Sequence, residues 1–166
     1  MFHFLPGTSI FSIATVGCNL HCLNCQNWEI SQAKPEDVKS THCPPEKVVE
    51  LAKKNNCPSI AYTYTDPVVF YEYARDCSKL ARGNKIKNVL VTAGYINPKP
   101  WEKLLEVTDA ANIDLKHMND EDYQNICSGT LEPVLESLKT ASIKIHLEVT
   151  NLVIPTINDS RESIRK

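Results

Sequence analysis

The sequence predicts an α/β protein of parallel strands and crossover helices, and three observations predict it. Five short runs rich in apolar and β-branched residues are separated by stretches with helical periodicity. The runs are apolar nearly throughout, as in Lys87-Asn88-Val89-Leu90-Val91-Thr92, which suits a sheet covered by helices. Strand and helix alternate with no Gly/Ser-rich linker, low-complexity tract or repeat between them, so residues 1–166 are expected to form one domain.

The first strand is expected over 9–16, a β-branched run that ends at Gly17. A helical pattern over 45–55 stops at Asn55-Asn56-Cys57-Pro58, because proline cannot continue it. Strand two covers 59–65, and the helix predicted over 68–82 has Gly83 just past its end. Strand three lies at 87–92, the next helix at 100–107 and strand four at 110–115. Two helical patterns, 120–127 and 131–141, are separated by Gly129, and strand five is expected over 144–154. The final residues, 159–166, read as the first turns of a fifth crossover helix with no strand after it, so a chain truncated at its C-terminus is expected. A complete eight-fold barrel usually needs about 200 residues or more. A chain of 166 residues leaves an open sheet or a smaller barrel.

Composition excludes several classes. The chain is 42% hydrophobic and 23% charged, within the range of globular proteins able to bury one core. Its net charge of −2 offers no basic footprint for nucleic acid. No apolar run approaches the roughly 18 residues that cross a bilayer, and residues 1–7 carry no cationic region ahead of an apolar stretch. A cytoplasmic location without membrane attachment is therefore expected.

In a reducing compartment the seven cysteines would stay as thiols. Three cluster: Cys18, Cys22 and Cys25 fall within the string CNLHCLNC, directly after strand one. Parallel α/β folds place their active sites at such carboxyl ends of strands. Structural zinc takes four ligands, often from paired C-x2-C elements, and here His21 or Cys43 would have to complete the shell. Three thiolates on one loop suit a 4Fe-4S cube, each binding one iron and leaving the fourth open. Read this way the loop serves an enzyme; with zinc it belongs to a non-catalytic metal-binding or interaction fragment.

The C-x3-C-x2-C spacing within FHFLPGTSIFSIATVGCNLHCLNCQNWEIS resembles the signature of radical S-adenosylmethionine (SAM) enzymes, specifically the branch of pyruvate formate-lyase activating enzyme homologues found with AMMECR and Memo-like proteins. Later segments agree in order: YTYTDP, NVLVTAGYINP, ANIDLK and EVTNLVIPTIND are similar to that branch's segments at strands two to five. The resemblance implies a partial (βα)6 barrel with about five parallel βα units present. It implies a 4Fe-4S cluster on Cys18, Cys22 and Cys25, with SAM's amino and carboxylate groups chelating the open iron. Reductive cleavage of SAM would yield a 5′-deoxyadenosyl radical for hydrogen abstraction, with a low-potential electron donor such as flavodoxin or ferredoxin and a protein or small molecule as substrate.

The same resemblance assigns roles residue by residue. Asp66 matches the carboxylate that contacts SAM's amino group, where glutamate is usual, and Asp66-Pro67 also reads as a helix cap followed by proline. Asn24, Cys25 and Gln26 match the segment along the adenine, with Asn24 where an aromatic is common. Thr92 and Gly94 match a Thr-Asn-Gly triplet whose asparagine is here Ala93. Asp114, Leu115 and Lys116 match the Asp-Leu-Lys segment that contacts SAM. These departures imply weaker SAM contacts or a shifted substrate.

Strand parity supplies a reading independent of the family. Asn112, Asp114 and Lys116 share one face of strand four, and Ile113 and Leu115 the other. With the aliphatics against helices, the polar set faces the interior. Strand five repeats this, with His146, Glu148 and Thr150 on one face; Glu148 is accordingly a candidate site residue, and a solvent-facing edge is the alternative. Cys77 and Cys127 read as small core residues. Cys43 and Cys57 lack ligand spacing, and His21 is expected to face solvent. Trp28, Tyr62 and Tyr64 could wall the pocket or pack in the core or rim.

Overall fold

The computed structural model describes residues 1–165. Five strands form one sheet in sequential order, β1 (Ile10–Ile13), β2 (Ser59–Tyr62), β3 (Lys87–Thr92), β4 (Ala110–Asp114) and β5 (His146–Thr150), and every adjacent pair is parallel. The crossover helices are α2 (Pro45–Lys54), α3 (Tyr71–Gly83), α4 (Pro98–Leu105) and α6 (Leu131–Lys144). Shorter turns are α1 (Trp28–Ser31), α5 (Asp120–Asp122), a π-helical turn over Tyr123–Cys127 and α7 (Arg161–Arg165). The fold is the α/β architecture read from the sequence, a partial barrel of five parallel strands. Among the described residues no helix is long and apolar enough to cross a membrane.

Burial follows from chain order. β2, second in the sheet and covered by helices, is buried along its whole length, as expected of a parallel strand. Trp101, Leu104, Ile113, Val134 and Ala141 fill the layer between sheet and helices. The Trp101 indole N–H donates to the Ser137 carbonyl (3.0 Å), which ties α4 to α6. Asn88, fully buried on β3, is satisfied on all sides. Its amide donates to the carbonyls of Ser78 and Val107, both at 2.9 Å, and its carbonyl accepts from the Tyr62 hydroxyl at 3.1 Å. A buried amide is tolerated only with such partners.

Several boundaries differ from the sequence expectation. α3 starts at Tyr71 because residues 67–70 form turns against the Asp66 side chain and carbonyl, as in Val68 N–H to Asp66 Oδ1 (3.2 Å). α6 runs on to Lys144, so β5 begins only at His146. Gly83 is the last residue of α3, and the left-handed residue beyond it is Lys85 (φ 60°). The left-handed residue before α6 is Ser128 (φ 55°), while Gly129 serves a close packing contact. The turns expected at the C-terminal end form α7, and Lys166 lies outside the described residues.

Candidate functional site

The carboxyl ends of the strands open on one cavity of about 470 Å³. Its wall takes residues from the loop after β1, the turn after β2, the end of β3, the end of β4 and the end of β5. All five strands thus aim their ends at a shared space, so the sheet curves around it. Parallel α/β proteins bind ligands at this end.

Cys18, Cys22 and Cys25 all line the cavity as free thiols. Their loop leaves β1 through Gly17, whose φ of +100° is a conformation that L side chains rarely adopt. The loop is then tied down on several sides. Asn27 Nδ2 donates to the Tyr64 carbonyl after β2 (2.7 Å), and Asn19 Nδ2 to the Tyr95 carbonyl after β3 (2.6 Å). Gln32 Nε2 donates to the Leu20 carbonyl (3.0 Å). Main-chain bonds from His21 and Leu23 reach the carbonyls of Cys127 (3.0 Å) and Ile126 (2.9 Å). Leu20 is buried against Gly129, where an added Cβ would come within 2.6 Å of Leu20 Cδ2.

Asp66 is buried beside the loop. Its carboxylate accepts from Thr92 Oγ1 (2.7 Å), the Ala93 main-chain N–H (2.9 Å) and the Val68 N–H (3.2 Å). Gly94 N–H in turn donates to Thr92 Oγ1 at 3.0 Å. Burial pushes the Asp66 pKa up, and these three donors and Lys116 pull against it. The helix-cap reading of Asp66 is corrected by the structure: α3 begins only at Tyr71 with Phe70 at its N-cap, and the Asp66 carboxylate instead accepts from Val68 in the preceding turn while lining the cavity.

Asp114 and Lys116 reach the cavity from the end of β4, with Lys116 Nζ 3.1 Å from Asp114 Oδ2. Burial works against the Lys116 charge, but Asp114 and Cys22 raise its pKa on balance. Cys18 is pushed up to about 11, chiefly by burial. Cys22 is driven well above the ordinary thiol range by its interaction with the Cys127 thiol and then by burial. A metal that takes these sulfurs as thiolates must displace their protons.

Of the remaining sequence-predicted residues, Asn24 and Gln26 line the cavity, as does Thr92. Gly94, Leu115 and Glu148 are not among its lining residues. Leu115 packs against the core on the opposite face of its strand, as its parity requires. The Glu148 carboxylate is occupied by the N-terminal segment, accepting from the N–H groups of Phe2 (2.8 Å) and His3 (2.9 Å). Tyr62 is a core residue, Trp28 is exposed on the surface, and Tyr64 lines the cavity with φ 67°. His117 also lines it, 1% exposed, with Nδ1 making no hydrogen bond and lying 4.0 Å from Asp122 Oδ2, and the sequence reading passes over it. Its only signal was its place directly after Asp-Leu-Lys.

The donor set suits a group that presents a separate corner to each sulfur. Among the described residues no three His, Cys, Asp or Glu side chains converge as a single ion requires. A four-iron cube spreads its ligands over three corners, and three free thiols along one cavity wall match that demand.

Comparison with known proteins adds an independent line. The sequence pattern of the radical SAM superfamily matches residues 12–166. An uncharacterized protein of Methanocaldococcus jannaschii is 47% identical over 99% of this chain, which spans 49% of that relative. The pyruvate formate-lyase-activating enzyme of Clostridium pasteurianum is 26% identical over 90% of this chain and is spanned over 64% of its length. Among solved structures, Streptococcus suis SuiB bound to S-adenosylmethionine superposes with a TM-score of 0.69 at 12% identity, over 94% of this chain and 36% of that one. This chain therefore spans about half to under two thirds of these curated relatives.

Proposed function

This chain belongs to the radical SAM superfamily, and on that premise we propose that it carries a 4Fe-4S cluster on Cys18, Cys22 and Cys25 and cleaves SAM reductively. Held by these three cysteines, such a cluster would supply the low-potential electron for reductive cleavage of SAM's S–C5′ bond, to methionine and a 5′-deoxyadenosyl radical for hydrogen abstraction. The observation that carries the reading is the convergence of the three-cysteine loop and the ends of β2, β3 and β4 on one cavity.

The chain's own groups have distinct tasks in this reading. Asn24 and Gln26 line the wall beside Cys25 and would flank the adenine. Asp66, fixed by Thr92 and Ala93, would receive the SAM amino group. The Lys116 ammonium and the Asp114 carboxylate, paired at 3.1 Å, offer one charge to each of SAM's ionised ends. Gly94 and Leu115 would act through the backbone that sets these neighbours. Glu148 is assigned instead to holding residues 2 and 3.

Likeness to pyruvate formate-lyase-activating enzymes supports a glycyl-radical-activating type of chemistry, and the segments of the AMMECR and Memo-associated branch support placement there. The partners proposed are a flavodoxin or ferredoxin as electron donor and a protein or small molecule as hydrogen donor. Free thiols throughout suit a reducing cytoplasm. The test is anaerobic reconstitution with iron and sulfide, then dithionite and SAM. Release of 5′-deoxyadenosine by the native sequence, and none by a Cys18→Ala, Cys22→Ala, Cys25→Ala variant, is expected. Zinc without iron or sulfide in protein purified anaerobically would overturn the reading.

A further inference from the structure

Six non-glycine residues among those described have positive φ, and Tyr64 (φ 67°) is the one that lines the cavity. Asn56, Lys85 and Ser128 lie just past the ends of helical segments, where a left-handed residue commonly stops the helix. Tyr64 ends no helix. It follows β2, and the Thr65 N–H donates to the Thr63 carbonyl two residues back at 2.9 Å. Tyr64 is therefore the centre of a γ-turn of the positive-φ form, which is rare and strained. A bulky side chain there costs free energy that glycine would not.

The surrounding chain enforces the turn. On its two sides the Thr63 N–H donates to the Ile13 carbonyl (3.1 Å) and Thr65 Oγ1 to the Thr15 carbonyl (3.2 Å), while the Tyr64 carbonyl accepts from Asn27 Nδ2 (2.7 Å). The fold gains little from the ring. Tyr62, Thr65 and Asp66 around it are buried, whereas Tyr64 is 57% exposed, so its side chain stands at the cavity's mouth. Packing within the chain does not account for a strained backbone beneath a mostly exposed ring.

We propose, resting on the reading that SAM binds in this cavity, that Tyr64 is a ligand-binding residue whose ring covers the methionine chain and sulfonium of bound SAM. Its place on the wall says which part it meets. Asp66, two residues on, would receive the amino group, and Asn24 and Gln26, beside the Asn27 that holds the Tyr64 carbonyl, would flank the adenine. Next to its amino group SAM is an apolar chain that ends in a positively charged sulfur, and the face of a tyrosine ring attracts such a cation.

The test sets stability against affinity in Tyr64→Gly and Tyr64→Phe. Urea unfolding of the metal-free proteins is expected to place the midpoint of Tyr64→Gly at or above that of wild type, because the strained turn is relieved. Isothermal titration of SAM into the anaerobically reconstituted proteins is expected to give a dissociation constant about tenfold higher for Tyr64→Gly, and within about twofold of wild type for Tyr64→Phe, which keeps the ring. A midpoint of Tyr64→Gly below wild type would show that the ring serves the fold, and overturns the proposal. Equal affinity in Tyr64→Gly and wild type overturns it too, as does a loss in Tyr64→Phe as large as in Tyr64→Gly. Wild type that assembles no cluster or binds no SAM overturns the underlying reading as well, so the two failures are distinct.

Discussion

Asp66 shows how one side chain serves two demands. Its carboxylate takes three donors from the chain and still lines the cavity. Asp66→Asn keeps the shape but turns an amide N–H2 toward groups that also donate. Leaving one buried donor without an acceptor costs about 1–3 kcal/mol, so the midpoint of urea unfolding should fall with an unchanged slope. SAM affinity, read by isothermal titration on the reconstituted protein, should drop about tenfold or more, roughly 1.4 kcal/mol. Unchanged stability and affinity would remove Asp66 from both roles. Glu148 yields a pH prediction. Although burial opposes its charge, the Phe2 and His3 N–H groups and His146 pull its pKa down to about 2. A carboxylate with a depressed folded pKa contributes stability above its ordinary range and loses it as pH falls through the folded value. The hold on residues 2 and 3 should therefore persist at pH 4 and fail toward pH 2. A carbon-13 NMR titration of the Glu148 carboxyl should show a midpoint near 2, and an ordinary glutamate midpoint would contradict the contact.

At the scale of elements, the cysteine loop and the π-helical turn form one unit. Gly129→Ala would drive a Cβ to 2.6 Å from Leu20 Cδ2, and overpacking of this kind costs about 1–3 kcal/mol. We expect a lower unfolding midpoint for the metal-free protein together with reduced iron uptake, since the displaced Leu20 belongs to the ligand loop. Full iron loading at wild-type stability would show that the loop does not depend on this contact. The strands were legible because parallel, helix-covered strands read as apolar runs, and β3 is matched at both ends. The parity of β4 was legible for Asp114 and Lys116 because alternation fixes the face wherever one side is buried. Less legible were contacts made between elements. That His21 and Leu23 of the cysteine loop bond to Cys127 and Ile126 depends on the register of two segments about a hundred residues apart, and no local pattern encodes it. The left-handed turns fell on Lys85 and Ser128 rather than on the neighbouring glycines, because the chain's path after each helix set them. Glu148 has the right parity for the interior, yet the N-terminal segment, whose course periodicity cannot foretell, occupies its carboxylate.

At the scale of the molecule, five parallel strands bend so that their carboxyl ends share one cavity, and a loop anchored to several of them holds three sulfurs at its wall. Anchoring of this kind preorganises ligands before any metal arrives, so that less of the binding energy is spent on ordering the loop. The central claim is that these three sulfurs bind three corners of an iron-sulfur cube and leave the fourth to SAM. Pulsed EPR of the dithionite-reduced, reconstituted protein with SAM labelled at its amino nitrogen and carboxylate carbon tests it most directly. The account predicts hyperfine coupling of the cluster to both labels, lost together with the cluster in the triple cysteine variant; a reduced cluster that shows no coupling to either label would contradict it.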